Sequence, residues 1–187
     1  MSRQICEGCG RPEKVCLCSH LIHYRLPFEL IIWQDPDEAK HPLSTAPLLH
    51  RSIDGCRLLV GDDFGYPDVF SDAEASRVAL LYPDNEAAVQ APSHRPAGID
   101  KVLVLDGTWR KVRRLILRNP WLLELPRVSL KPDSESRYLR CSTVDGGVST
   151  LEAVLLLADQ WNPEEGYREG IRVLNRMAEL QERMRRQ

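Results

Sequence analysis

The stretch Lys101-Val-Leu-Val-Leu105-Asp106-Gly107-Thr108-Trp109-Arg110-Lys111-Val-Arg113-Arg114-Leu-Ile-Leu-Arg118-Asn119-Pro120 decides how the chain is read. Four consecutive apolar residues, 102–105, closed by an Asp-Gly turn, read as a strand buried on both faces. A basic helix follows, and Asn119-Pro120 stops it, because proline has no N–H for the next helical hydrogen bond. A strand running directly into a helix is the start of a βαβ unit. In parallel sheets of that kind, ligands bind just beyond the carboxyl ends of the strands. Asp106 stands at such an end. Gly107 permits a tight turn, Thr108 stands where a helix cap belongs, and Trp109 offers a large flat face. On spacing alone two readings stay open: a functional turn, or two helix caps followed by a core tryptophan.

Outward from this stretch, short apolar runs alternate with helix-like segments. Residues 29–33, 57–60, 77–81 and 127–130 read as further strands. Helices are expected over 41–51, with Ser44 or Thr45 as cap and Pro47 in the first turn, and over 151–158, capped by Ser149-Thr150 with Glu152 in its first turn. A last helix is expected over about 163–186, where Ile171, Leu174, Met177, Leu180 and Met184 recur at helical spacing. Residues 84–100 read as a surface excursion rich in Pro and Ala. The alternation implies a mostly parallel α/β sheet. A chain of 187 residues, 43% apolar, fits one domain of ordinary size with a real core. The division expected is a small cysteine knuckle at 1–25 and one domain at 26–187.

The net charge of −2 taken whole argues against a polyanionic partner, but it is an average. Residues 101–140 carry 10 basic and 4 acidic groups, against 5 and 13 over 29–100. At about 100° per residue, Arg110, Arg113, Arg114 and Arg118 share one helix face, with Lys111 beside them. A one-sided cationic row repels itself unless acids or phosphates oppose it, and its own segment holds few acids. The expectation is therefore a phosphate track, which Arg137, Tyr138 and Arg140 would extend, Tyr138 by stacking on a base.

Four of the six cysteines cluster as Cys6-x2-Cys9-x6-Cys16-x-Cys18. Two such pairs can close a tetrahedron of thiolates around Zn2+, with no open position, so the metal would be structural. His20 could replace one ligand; Cys56 and Cys141 read as small core residues. The opening MSRQICEGCG lacks the apolar stretch of a secretory signal, and no run approaches the roughly 20 apolar residues of a membrane span. A soluble, cytoplasmic protein with reduced thiols is expected. There is no GxGxxG and no glycine-rich loop ending in Lys-Ser/Thr, which weighs against Rossmann cofactor sites and NTPases. The five histidines form no metal or base constellation.

Taken in order, Asp106-Gly-Thr-Trp109-Arg-Lys, Asn119-Pro-Trp121, Leu125-Pro-Arg-Val-Ser129, Ser136-Arg-Tyr138-Leu-Arg140 and Ser149-Thr-Leu-Glu152-Ala resemble the DTW-domain family. The knuckle Cys6-x2-Cys9-x-Arg11-Pro12-x3-Cys16-x-Cys18 is similar to that of its bacterial members. The resemblance implies a SPOUT-like parallel sheet whose C-terminal part threads a trefoil knot. It implies transfer of the 3-amino-3-carboxypropyl group of S-adenosylmethionine to N3 of a tRNA uridine, with methylthioadenosine leaving. A variable-loop uridine and a monomeric enzyme are implied too.

By the same resemblance, the cofactor loops would be Leu81-Tyr82-Pro83, Leu105-Asp106-Gly107 and Ser149-Thr150-Leu151-Glu152. Asp106 would steer the uridine N3 proton or the donor's ammonium, with Thr108 and Trp109 completing the catalytic turn. The Trp109 π-face would suit the sulfonium. The stretch 41–49 departs from the family's pattern, lacking the Glu and Asn-Thr pair expected there, so Thr45 is given no role. A SPOUT-type RNA methyltransferase and a non-catalytic zinc-knuckle RNA-binding protein are the alternatives.

Overall fold

Strands form where the chain turns apolar and end at Asp, Gly or Pro punctuation. The computed structural model describes residues 4–70, 75–82, 95–130 and 148–186. Strands β1 (Glu29–Gln34), β2 (Arg57–Val60), β3 (Val78–Leu81), β4 (Lys101–Asp106) and β5 (Arg127–Val128) make one parallel sheet ordered β2-β1-β4-β3-β5. The helices are α1 (Pro36–Ala39), α2 (Ala46–Ser52), α3 (Tyr66–Val69), α4 (Trp109–Arg118), α5 (Thr150–Trp161) and α6 (Arg172–Arg185).

Alternate residues of the central strands feed two cores. Leu30, Ile32, Val102 and Val104 face α2, α5 and α6, while Ile31, Trp33, Leu103 and Leu105 face α4. Helix α4 is fixed to the sheet by buried Val112, Leu115 and Ile116. Burying such a side chain is worth about 1.5–3 kcal/mol. A like-charge neighbour on a helix face costs only a few tenths, so packing decides where α4 lies. The knuckle joins the first core: Leu17 and Cys9 are buried in it, and Cys6, Cys16 and Cys18 pack against it.

Sheet order positions the site. From β1 the chain moves to β2 on one flank; from β4 it passes β3 to reach β5 on the other. The carboxyl ends of neighbouring β1 and β4 are thus a topological switch point, where the departing connections leave a crevice.

Several expectations are corrected. The strand expected over 127–130 is confined to Arg127–Val128, and Arg77 belongs to a 3-10 turn, Ala75–Arg77, ahead of β3. The helix expected over 41–51 starts only at Ala46. Before it, Ser44 N–H donates to His41 carbonyl in a turn, and the Ser44 hydroxyl accepts from Gln34 instead of capping. The helix expected over 163–186 is three pieces: 3-10 turns Pro163–Glu165 and Tyr167–Ile171, then α6. Gly166 breaks it with φ +66°, a left-handed conformation suited to glycine. Pro83, Arg137, Tyr138, Arg140 and Cys141 lie outside the described residues, as does the course of chain on which the implied knot depends.

Candidate active site and metal knuckle

Asp106 ends the apolar run of β4 and is buried. Its register partner on β1 is Gln34, whose amide donates to Asp106 Oδ2 at 2.7 Å and to Ser44 Oγ at 2.7 Å. Thr150, the first residue of α5, donates its hydroxyl to Asp106 Oδ1. The carboxylate thus joins β4 to β1 and to the start of α5, and Gln34 links it on to the turn before α2. Ser149 and Glu152 hold that start as a reciprocal capping box: Ser149 N–H donates to Glu152 Oε2 at 2.8 Å, and Glu152 N–H to Ser149 Oγ at 3.2 Å. Leu151 is buried behind them.

The turn after Asp106 passes close to β1. A Cβ on Gly107 would stand 3.1 Å from Lys111 Cβ and 3.5 Å from Asp35 Cβ, so glycine lets the backbone approach. Thr108 occupies the N-cap position of α4, but its side chain makes no capping hydrogen bond, which corrects the capping role expected of it. Half-buried Trp109 meets Tyr82 edge to face, centroids 6.1 Å apart, tying the β3 end to the β4 turn. The structure thus brings Leu81, Tyr82, Leu105, Asp106, Gly107, Trp109, Ser149 and Thr150 to one edge of the sheet.

The arginine row is not left to phosphates as a whole, because acids from elsewhere oppose part of it. Fully buried Asp35 caps α1, accepting from Asp37 and Glu38 N–H at 2.9 and 3.3 Å, and takes Arg114 Nη2 at 2.5 Å. That hydrogen bond raises the Arg114 pKa above its ordinary value. Lys111 pairs with buried Glu38 at 3.1 Å, and Arg118 with Asp62. Arg110 and Arg113 are exposed and make no ion pair with the described residues. With Trp109, Leu117 and the paired Arg114 and Arg118 they line an open depression of about 470 Å3 along α4.

Sequence reasoning missed Gln34, Asp35, Glu38 and Ser44. The available signal was the polar pair Gln34-Asp35 at the end of an apolar strand, the same signature that singled out Asp106.

In the knuckle the four sulfurs of Cys6, Cys9, Cys16 and Cys18 lie within 4.8 Å of one another and could hold a metal ion. Their contacts of 3.7 Å (Cys6–Cys18), 3.8 Å (Cys9–Cys16) and 3.4 Å (Cys6–Cys16) fit the chemistry. A tetrahedron of zinc–sulfur bonds of about 2.3 Å has edges of about 3.8 Å. Burial disfavours the Cys9 thiolate, yet backbone hydrogen bonds of Leu17 and Arg11 outweigh it and bring the thiol down to about 6. Cys56, buried elsewhere, is pushed up to about 12 by desolvation.

Curated relatives named tRNA-uridine aminocarboxypropyltransferase 2 match 80% of this chain. The Macaca fascicularis protein is 31% identical over 162 residues, 54% of its own length. The Drosophila melanogaster protein is 30% identical over 159 residues, 63% of its length. The Arabidopsis thaliana protein named tRNA-uridine aminocarboxypropyltransferase A is 45% identical over 53 residues, 27% of this chain and 20% of its own. The chain therefore spans less than two thirds of the length of these relatives. No solved structure matches it. A profile described as the DTW domain matches residues 3–182, almost the whole chain, and the chain belongs to the DTW-domain family.

Proposed function

We propose that this protein is a cytoplasmic, monomeric tRNA-uridine aminocarboxypropyltransferase with a SPOUT-like, knotted domain at 26–187 and a structural zinc knuckle at 1–25. The observation that carries the reading is Asp106, a buried carboxylate at the switch point, inside the Asp106-Gly-Thr-Trp109 turn of a DTW-family chain. S-adenosylmethionine is the donor substrate and supplies an electrophilic γ-carbon beside a sulfonium leaving group. The residues present fit a cationic ligand: the Asp106 carboxylate, and the Trp109 and Tyr82 rings, whose π-faces attract positive charge.

The chain's task is placement. Leu81-Tyr82-Pro83, Leu105-Asp106-Gly107 and Ser149-Thr150-Leu151-Glu152 frame the donor. Asp106 orients the uridine N3–H or the donor's ammonium, acting in its ionised form. Choosing the propyl chain over the methyl is then geometry, because only the carbon in line with N3 reacts. An N3–C bond forms and a C–S bond breaks. The electron pair stays on sulfur in neutral methylthioadenosine, and the N3 proton is released. Arg110 and Arg113 on α4 hold phosphates of the tRNA, with Arg137, Tyr138 and Arg140 as the proposed extension.

Incubation with tRNA and S-adenosylmethionine tests this directly. Methylthioadenosine and an aminocarboxypropyl-uridine in the digested tRNA are expected. Recovery of S-adenosylhomocysteine would make the protein a methyltransferase, and tRNA retention without turnover would make it a binding protein. Nucleoside mass analysis of tRNA from cells with and without the protein locates the uridine, expected in the variable loop. Metal analysis of the purified chain should find about one zinc, and chelation should lower Tm, since a structural zinc contributes its binding energy to the folded state.

A further inference from the structure

Arg11 lies between the second and third knuckle cysteines in sequence, yet its side chain leaves the knuckle and is buried. Its backbone is locked: Cys6 N–H donates to the Arg11 carbonyl at 2.8 Å, and Gly10 supplies the turn with φ +67°. Its guanidinium donates to the Ser44 carbonyl at 2.9 Å and touches Met177 Sδ of α6 at 3.6 Å. Burying a guanidinium is costly, so the place where it points is informative. Ser44 Oγ accepts from Gln34 Nε2, and the same nitrogen donates to Asp106 Oδ2, each at 2.7 Å. Ser44, Gln34 and Asp106 are all buried.

Both amide hydrogens of Gln34 are thereby committed, one on each side. Rotating the amide would set its oxygen against the Asp106 carboxylate, acceptor on acceptor, so the network dictates its orientation. We infer that Arg11, Ser44 and Gln34 are positioning residues that carry the fixed geometry of the cysteine knuckle to the Asp106 carboxylate. The knuckle then organises the active-site acid across 95 residues of sequence, besides stabilising the fold. The inference rests on the proposed role of Asp106 for its kinetic consequences, while the hydrogen-bond network itself is independent of the reaction.

The test uses the full-length zinc-loaded protein, by steady-state kinetics with tRNA and by carbon-13 NMR of the labelled Asp106 carboxyl. Ser44→Ala keeps the carbonyl that Arg11 holds but removes the acceptor that fixes Gln34. A kcat loss of about tenfold or more with KM for tRNA within about twofold is expected, and an unchanged kcat would overturn the inference. Gln34→Glu sets two carboxylates at hydrogen-bond distance. The Asp106 resonance should then titrate at least about one pH unit higher, and an unmoved midpoint would likewise overturn it. Arg11→Met keeps an apolar stem but no donor. With zinc still bound, the Asp106 resonance should shift; a stationary resonance would reduce the knuckle to a purely structural part. Should that variant not fold, Ser44→Ala decides. If wild-type protein releases no methylthioadenosine, the proposed function fails on its own, and the NMR measurements still judge the network.

Discussion

Two aspartates stand side by side at the carboxyl edge of the sheet and do different things. Asp35 follows β1 and Asp106 ends β4; both are buried, and Asp35 N–H donates to the Asp106 carbonyl at 3.0 Å. Asp35 caps α1 with one oxygen and holds the Arg114 guanidinium with the other. Asp106 accepts from the Gln34 amide and the Thr150 hydroxyl, one on each oxygen. The first arrangement neutralises a charge and ties α4 to β1. The second fixes where a carboxylate points, which is what a group facing a cationic donor or an acidic N–H requires. Position in the fold makes both residues candidates, and the Arg114 pair marks Asp35 as the structural acid beside the one proposed to act on substrate.

The largest expected effect is that of Asp106→Asn. The substitution keeps the shape and an oxygen for Gln34 but removes the charge. Methylthioadenosine release should fall by at least about 100-fold, with Tm within a few degrees of wild type by calorimetry. Asp35→Ala should do the opposite. The lost cap alone costs about 0.5–2 kcal/mol, which lowers the Tm of a chain this size by about 1–8 °C, while turnover falls by less than about tenfold. If both variants lose activity together at unchanged Tm, the division of labour between the two aspartates is wrong.

The same contrast explains what was legible beforehand. The β4 strand and its turn were readable because the signal is local: four apolar residues, then a polar one and a glycine. The cysteine cluster was readable for the same reason. The α4 ion pairs were not, since Arg114 and Asp35 are 79 residues apart and a tally by segment counts charge along the chain, never across space. Residues 101–140 looked uncompensated because the opposing acids sit at the ends of β1 and β2. The last helix was overdrawn because its apolar spacing survives through the 3-10 turns, and no periodicity reports that Gly166 has turned left-handed. The polar end of β1 marked Gln34, but its partners stayed hidden, because Asp106 comes from the sheet register and Ser44 from the turn before α2.

Adjacent arginines on α4 carry the comparison to its smallest scale. All four line the open depression, but Arg114 pairs with Asp35, with Asp37 at 3.7 Å, and Arg118 with Asp62, whereas Arg110 and Arg113 make no ion pair with the described residues. A cation already matched to an acid releases no counterion when RNA arrives, because its charge was balanced beforehand. Each unmatched cation that meets a phosphate contributes roughly 0.7–0.9 to the slope of log affinity against log salt. The double variant Arg110→Ala/Arg113→Ala should therefore flatten the salt dependence of tRNA binding by about 1.4–1.8, measured by filter binding across a salt series. Arg118→Ala removes the same kind of charge from the same helix and should leave that slope unchanged. Equal slopes for the two variants would mean that α4 is an ordinary solvated face and that the polyanion site lies elsewhere on the molecule.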